Sequence, residues 1–363
     1  MSSVPAMVNP MVGSDGCEAC ASGRMSDPPL PLYDGADAEK AIALLSAVGY
    51  DTDALVGDVT VRFHPAGHIL GSASVSLHVA GRRILFSGDL GRRHHPLLQP
   101  PAPPAPADVL VVESTYGLRR HEAPAPGTLA DAITRTVRRG GVVLIPAFAV
   151  DRTEILLYEL RQLMAQGAVP RVPVFVDSPM ALAALDVYRA ALRSRAPGVR
   201  GELAGGDPFD PGDLRPVHTV EESMRLNRPG SPCIVVSASG MGTGGRVVHH
   251  LRHQLPDPRN TVILVGFQAE GTRGRDLVEG ARQVKMHGRY VPVRAEVIYL
   301  PEFSVHADAE ETIRWLSQAP QAPEVCYVVH GEPAASIALA RQITDELGWC
   351  AVVPREGEKV LLD

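Results

Sequence analysis

The chain has 363 residues, of which 45% are hydrophobic and 21% charged, with a net charge of −6. The length allows a large core and two packed lobes, and the composition is ordinary for a globular protein. An acidic balance argues against indiscriminate coating of nucleic acid, although a local basic groove still suits phosphate. Lys40, Lys285 and Lys359 are the only lysines, so arginine carries nearly all the positive charge. No run of roughly 18 apolar residues and no basic segment leading into an apolar stretch is present. The expected location is therefore the cytoplasm, with no membrane contact.

In chain order, residues 1–27 have few large apolar residues and read as a disordered tail. Cys17 and Cys20 in that tail make half of a structural zinc site without a second pair nearby, and read as functionless. Cys233, Cys326 and Cys350 read as core. A helix is expected from Asp37 as N-cap. From residue 57 the period changes to two: Val59–Phe63 alternates, and Val75, Leu77 and Val79 turn through Ala80-Gly81 into Ile84-Leu85-Phe86, a β-hairpin. Pro100–Pro106 is a surface bridge, followed by a buried strand, Val109–Val112.

After residue 120 helices and strands alternate. Helices are expected over about 128–138 and 151–164, from 179, and near 309–317 and 333–347. Strands are expected at Val142–Ile145, Val174–Val176, Ile234–Val236, Val262–Val265, Val297–Leu300, Val325–Val329 and Val352-Val353. Residues 196–230 are rich in Gly, Pro and Asp and show no order. The alternation predicts α/β layers with helices covering sheets.

Polar clusters follow these apolar strands directly, where ligand sites of α/β sheets gather. Asp89 lies in Ser87-Gly88-Asp89, Glu113 ends Val109–Val112, Asp177 follows Val174–Val176, His306 follows Val297–Leu300 after a short loop, and His330 follows Val325–Val329. Each alone reads more readily as a cap or a hydrogen-bonded loop residue. Together, and in order, they resemble one family.

Pro65-Ala66-Gly67-His68-Ile69-Leu70-Gly71-Ser72 resembles the third metal motif of metallo-β-lactamase RNA-processing enzymes, and Phe86-Ser87-Gly88-Asp89 the fourth. Glu113-Ser114-Thr115, Phe303-Ser304-Val305-His306 and Val329-His330-Gly331 resemble motifs A, B and C of their β-CASP branch. Ile145–Val150, Asp177–Ala181, Ser237–Met241 and Gly244-Gly245-Arg246 resemble segments of the β-CASP insert. The resemblance runs from about residue 28 to the end. It implies a partial metallo-β-lactamase αββα sandwich, residues 28–118 and 305–363, with an inserted β-CASP α/β domain over 119–304.

The resemblance also implies a zinc-dependent ribonuclease. His68 would bind one zinc, Asp89 would bridge two, and His330 would bind the other, so that water is activated against RNA phosphorus. His306 would donate a proton to the leaving oxygen, assisted by Glu113. Ser239, Gly240, Gly242, Gly244 and Gly245 would bring backbone N–H groups to RNA phosphate, and Arg246 would add a charged fork. Arg273, Arg275, Arg282, Lys285 and Arg289 would line the same channel or a solvated face.

One element of the family pattern, His-x-His-x-Asp-His, has no counterpart. The first histidine is His64, and no two histidines are separated by one residue. The resemblance thus implies that roughly 100 residues of a typical member lie outside the chain. Four ligands would be lacking, and an apolar strand edge would be exposed. His64, His94 and His95 are candidate substitutes. Two alternatives stand beside the ribonuclease: an inactive β-CASP protein that grips RNA or pairs with itself or an active partner, and a truncated fragment.

Overall fold

A computed structural model describes residues 33–121, 128–201 and 206–362. The expected tail and its cysteine pair lie outside them. The chain opens with helix α1 (Gly35–Ala43), then strands β1 (Asp53–Val56), β2 (Val59–Pro65), β3 (Ala73–Val79), β4 (Arg82–Phe86) and β5 (Val109–Glu113). There follow α2 (Thr128–Arg138), β6 (Val143–Pro146), α3 (Arg152–Ala165), β7 (Val174–Asp177), α4 (Pro179–Ser194), β8 (Leu214–Pro216), α5 (Val220–Arg225), β9 (Ile234–Ser237) and α6 (Arg246–Gln254). The remainder is β10 (Thr261–Val265), α7 (Arg273–Val278), β11 (Gln283–Met286), β12 (Arg289–Pro292), β13 (Glu296–Leu300), α8 (Ala309–Leu316), β14 (Val325–Val329), α9 (Pro333–Gln342) and β15 (Ala351–Val352).

Two large sheets organise these elements. One has seven strands in the order β1-β2-β3-β4-β5-β14-β15, and the other has six in the order β13-β10-β6-β9-β7-β8. The β2–β4 meander is antiparallel, whereas β4, β5, β14 and β15 run parallel. All pairings in the six-stranded sheet are parallel. β6, β9 and β10 are buried along their whole length, which is why they read as unbroken Val/Ile/Leu runs. The expected α/β layering is thus present.

Local chemistry explains most boundaries and a few departures. α1 starts one turn earlier than expected, because Asp34 and Asp37 each accept from the other's backbone N–H in a capping box. The hairpin turn falls at Ala80-Gly81, both with positive φ. The proline bridge is fastened by Trp315, whose Nε1 donates to the Ala102 carbonyl at 2.7 Å. β8 and α5 occupy the stretch that showed no order, and β11–β12 form a hairpin from the basic segment expected to line a channel. Cys350 is exposed rather than core, while Cys233 and Cys326 are buried. Leu55 and Val56, on edge strand β1, are 77% and 66% exposed among the described residues. Among the described residues no helix is long and apolar enough to cross a membrane.

Candidate active site

The chemistry-bearing residues collect where strands of the seven-stranded sheet end. β2 ends at Pro65 and the chain turns through Gly67 to His68. β4 ends at Phe86, and Ser87-Gly88 leads to Asp89. Gly88 has φ +56, and a Cβ there would stand 2.7 Å from the Ala73 carbonyl oxygen, so this turn needs glycine. Glu113 closes β5, and His330 follows β14. His306 arrives from the other sheet, in the loop after β13. Backbone bonds lock it in place: Gly91 bridges to His306, Arg92 N donates to Val305 O at 3.1 Å, and Ala307 N donates to Leu90 O at 2.7 Å.

Asp89 is the centre. Its Oδ2 lies 3.7 Å from His68 Nε2 and its Oδ1 3.4 Å from His330 Nε2. The His306 ring stands 4.3 Å from that of His68, and His68, Asp89 and His306 offer ligand-type atoms within 4.8 Å of one another. His306 Nδ1 meets Glu113 Oε1 at 3.1 Å, and the same carboxylate accepts from Leu90 N at 2.7 Å and Thr115 N at 3.2 Å. Burial acts to raise the Glu113 acid, but the bonds from His306, Thr115 and Leu90 outweigh it and hold it below its ordinary value. Burial, reinforced by the neighbouring His306 and Arg152 side chains, pushes His68 down to about 2. Its imidazole is therefore neutral, the form that ligates a metal.

Two imidazoles and a carboxylate suit zinc in kind. In number they give each Asp89 oxygen one imidazole companion, short of the about four donors a zinc takes. Two of the substitutes considered from sequence are engaged elsewhere. His64 bonds Asp51 and Ser76, His95 is buried against Asp151, and none of His64, His94 and His95 joins a ligand-spaced group among the described residues. A second such group, His121, Asp308 and Glu311, is the N-terminal cap of α8, where Asp308 and Glu311 form the capping box.

The residues expected to face RNA lie between β9 and α6. Ser239 Oγ accepts from Thr243 N at 3.2 Å and Gly244 N at 3.4 Å, which curls the loop on itself. Gly240 and Gly242 are buried, whereas Gly244 and Gly245 are exposed. A Cβ at Gly240 would stand 2.7 Å from the Phe148 ring, so the loop backs directly on that side chain. Arg246 turns inward. Its Nη1 donates to Asp177 Oδ1 at 2.6 Å and its Nη2 to the His218 carbonyl at 3.2 Å. Asp177 is fully buried and also takes His250 Nε2 at 2.6 Å. Arg246 thus braces the loop from inside while the backbone around Gly244 faces solvent.

Sequence reading passed over Asp151 and Arg152. Asp151, buried and with φ +68, bonds His95 Nε2 at 2.9 Å and the Tyr188 hydroxyl at 2.5 Å. That hydroxyl accepts from Leu70 N at 3.0 Å, two residues beyond His68. The only local signal was a charged pair just after Ile145–Val150, which reads equally well as a helix start. A cleft bordered by Phe175, Arg215, Met224, Arg228 and His253 includes none of the clustered histidines.

Residues 153–277 match the family model of the Beta-Casp domain, and residues 290–354 match that of the Zn-dependent metallo-hydrolase RNA specificity domain. The ribonuclease TTHA0252 of Thermus thermophilus is 38% identical over 316 residues, 86% of this chain and 72% of the relative. The chain belongs to the β-CASP family of RNA-cleaving metallo-β-lactamase hydrolases. An RNase J-like protein of Methanocaldococcus jannaschii is 35% identical over 314 residues, 85% of this chain and 72% of that protein. The transcription termination factor FttA of Pyrococcus abyssi is 32% identical over 347 residues, 92% of this chain and 53% of FttA. The metal dependence of the β-CASP family agrees with the donor types around Asp89.

Proposed function

We propose that this chain carries the RNA-gripping and proton-donating parts of a zinc-dependent ribonuclease. Residues 28–118 and 305–363 form its metallo-β-lactamase domain and residues 119–304 its β-CASP domain. His68, Asp89 and His330 would hold the metal. A metal held there would supply Lewis acidity for phosphodiester hydrolysis. His306 delivers the proton that the leaving oxygen needs. The observation that carries this role is the 3.1 Å bond from His306 Nδ1 to the Glu113 carboxylate, which orients the ring and leaves Nε2 for the substrate. The exposed backbone at Gly244 and Gly245, with Ser239, Gly240 and Gly242 shaping the loop and Arg246 bracing it, tracks RNA phosphate.

The count of donors around Asp89 supports a second reading, an RNA-binding β-CASP protein that does not cut alone. In either case the setting is the cytoplasm and the ligand RNA. A homodimer or an active β-CASP companion are the assemblies to examine. The deciding experiment incubates the purified chain with zinc and a 5′-labelled oligoribonucleotide. Cleavage that EDTA stops and that His306→Ala slows by about 100-fold or more, with zinc retained, supports the ribonuclease. RNA binding without cleavage supports the second reading. Cleavage unchanged in His306→Ala overturns the proton-donor role.

A further inference from the structure

Between the Asp89 cluster and the Ser239 loop stands Arg152, the first residue of α3. It is 5% exposed, and its Nε is buried without a hydrogen-bond partner. The nearest carboxylate oxygen is Asp151 Oδ2, 3.8 Å from Nη1 and already bonded to His95. The guanidinium lies 5.9 Å from the Phe148 ring, whose edge supports Gly240 of the loop. A Cβ on Gly266 would stand 3.3 Å from Arg152 Nε and 3.9 Å from Ser304 Cα, so Arg152 and Ser304 flank one glycine.

Two further polar groups lie at this place. The Tyr116 hydroxyl and Ser304 Oγ are both buried and face each other, and neither has any other hydrogen-bond partner among the described residues. The Tyr116 ring stacks on His306 at 6.2 Å, and His306 is in turn 4.3 Å from His68. Guanidinium N–H and two hydroxyls can all donate, and among the described residues the carboxylate within ion-pair reach of Arg152 is Asp151, at 3.8 Å and already bonded to His95. A buried cation held so loosely is costly unless an anion completes it. The group that satisfies one fork and two hydroxyls at once is acceptor-only and tetrahedral, which describes a phosphate.

We propose that Arg152, with Tyr116 and Ser304, forms a phosphate-binding subsite that takes a backbone phosphate of RNA beside the His68–His306 pair. The subsite joins the Ser239 loop to the reacting centre, so a strand following the loop would pass Arg152 before reaching Asp89. Its assignment to RNA rests on the ribonuclease reading; its affinity for phosphate does not.

The test is calorimetric titration of the purified chain with inorganic phosphate at constant ionic strength, repeated for Arg152→Met, Tyr116→Phe, Ser304→Ala and the exposed-surface control Arg193→Gln. Circular dichroism checks folding, and Tyr116→Phe and Ser304→Ala keep the test valid if Arg152→Met does not fold. Saturable binding is expected, weakened about tenfold or more by Arg152→Met and several-fold by each hydroxyl deletion, and unchanged in the control. No binding by the wild-type chain, or equal binding by all variants, overturns the subsite. Arg152-dependent phosphate binding in a chain that neither binds nor cuts RNA would sink the ribonuclease reading and leave the subsite standing. Cleavage whose KM is indifferent to Arg152→Met and Tyr116→Phe would do the reverse.

Discussion

The two sheets are made of the same residue types and differ in what covers them. The six-stranded sheet is packed on both faces, with Ile145, Val236, Ile263 and Val265 on one side and Leu144, Val235, Val262 and Leu264 on the other, all 1% exposed or less. The seven-stranded sheet is packed on one face, where Leu85, Leu110, Val112, Cys326 and Val328 meet α8 and α9. On its other face Val61, Phe63, Val75, Leu77, Ile84, Phe86, Val111, Tyr327 and Val329 are aligned by strand register, and none of them is buried. The metal-type residues hang from the end of this half-covered sheet, while the Ser239–Gly245 loop hangs from the more deeply covered one. The Ser239–Gly245 loop therefore stands on strands buried on both faces, and the donors around Asp89 stand on a sheet whose second apolar face is only partly buried among the described residues.

The largest expected contrast comes from placing the same charge on each sheet. Val236→Asp buries an unpaired carboxylate in the covered sheet and should cost about 4 kcal/mol or more. Leu77→Asp, on the open face, should cost about 1 kcal/mol or less. Urea unfolding of both variants measures the difference, and equal costs would erase the distinction between the sheets.

A middle-sized effect is expected from pH. Glu154 is fully buried on α3 without a partner for either oxygen, and burial pushes its pKa up to about 8. A folded-state value above the ordinary 4.5 means that the native protein holds this proton more tightly. Its contribution is complete below pH 4.5 and fades as pH rises through about 8. Stability should then fall by up to about 1.4 kcal/mol per pH unit across that window, and Glu154→Gln should flatten the slope. An unchanged slope in Glu154→Gln would place the proton elsewhere.

The smallest effect has the opposite sign and belongs to the seven-stranded sheet. The Arg83 guanidinium and backbone N–H bond Asp108 and hold its acid down at about 2. That contribution is present above the ordinary 3.8 and is lost as pH falls through about 2. The pair is solvent-accessible, so Asp108→Asn should cost about 1 kcal/mol or less at pH 7, read as a small shift in thermal midpoint.

What could be read from sequence follows the same contrast. Strands covered on both faces announce themselves as Ile145, Val236 or Leu264 inside apolar runs, so the β/α rhythm after residue 120 was plain. His68, Asp89, Glu113, His306 and His330 were visible because each follows a strand inside a distinctive local motif. Arg152 and Arg246 were harder. An arginine's partner is set by tertiary contact: Asp177, which holds Arg246, comes from a different strand, and Arg152 is notable only for what fails to meet it. The β11–β12 hairpin hid beneath basic residues, and the second aspartate of the α1 capping box masked the first.

The most direct test of the account is zinc bound per chain after dialysis against zinc-containing buffer, measured for the wild-type chain and for Asp89→Ala. The account predicts zinc on the wild-type chain that EDTA strips and that Asp89→Ala fails to hold, because Asp89 alone reaches both His68 and His330. Zinc retained undiminished by Asp89→Ala, or absent from the wild-type chain, would contradict it.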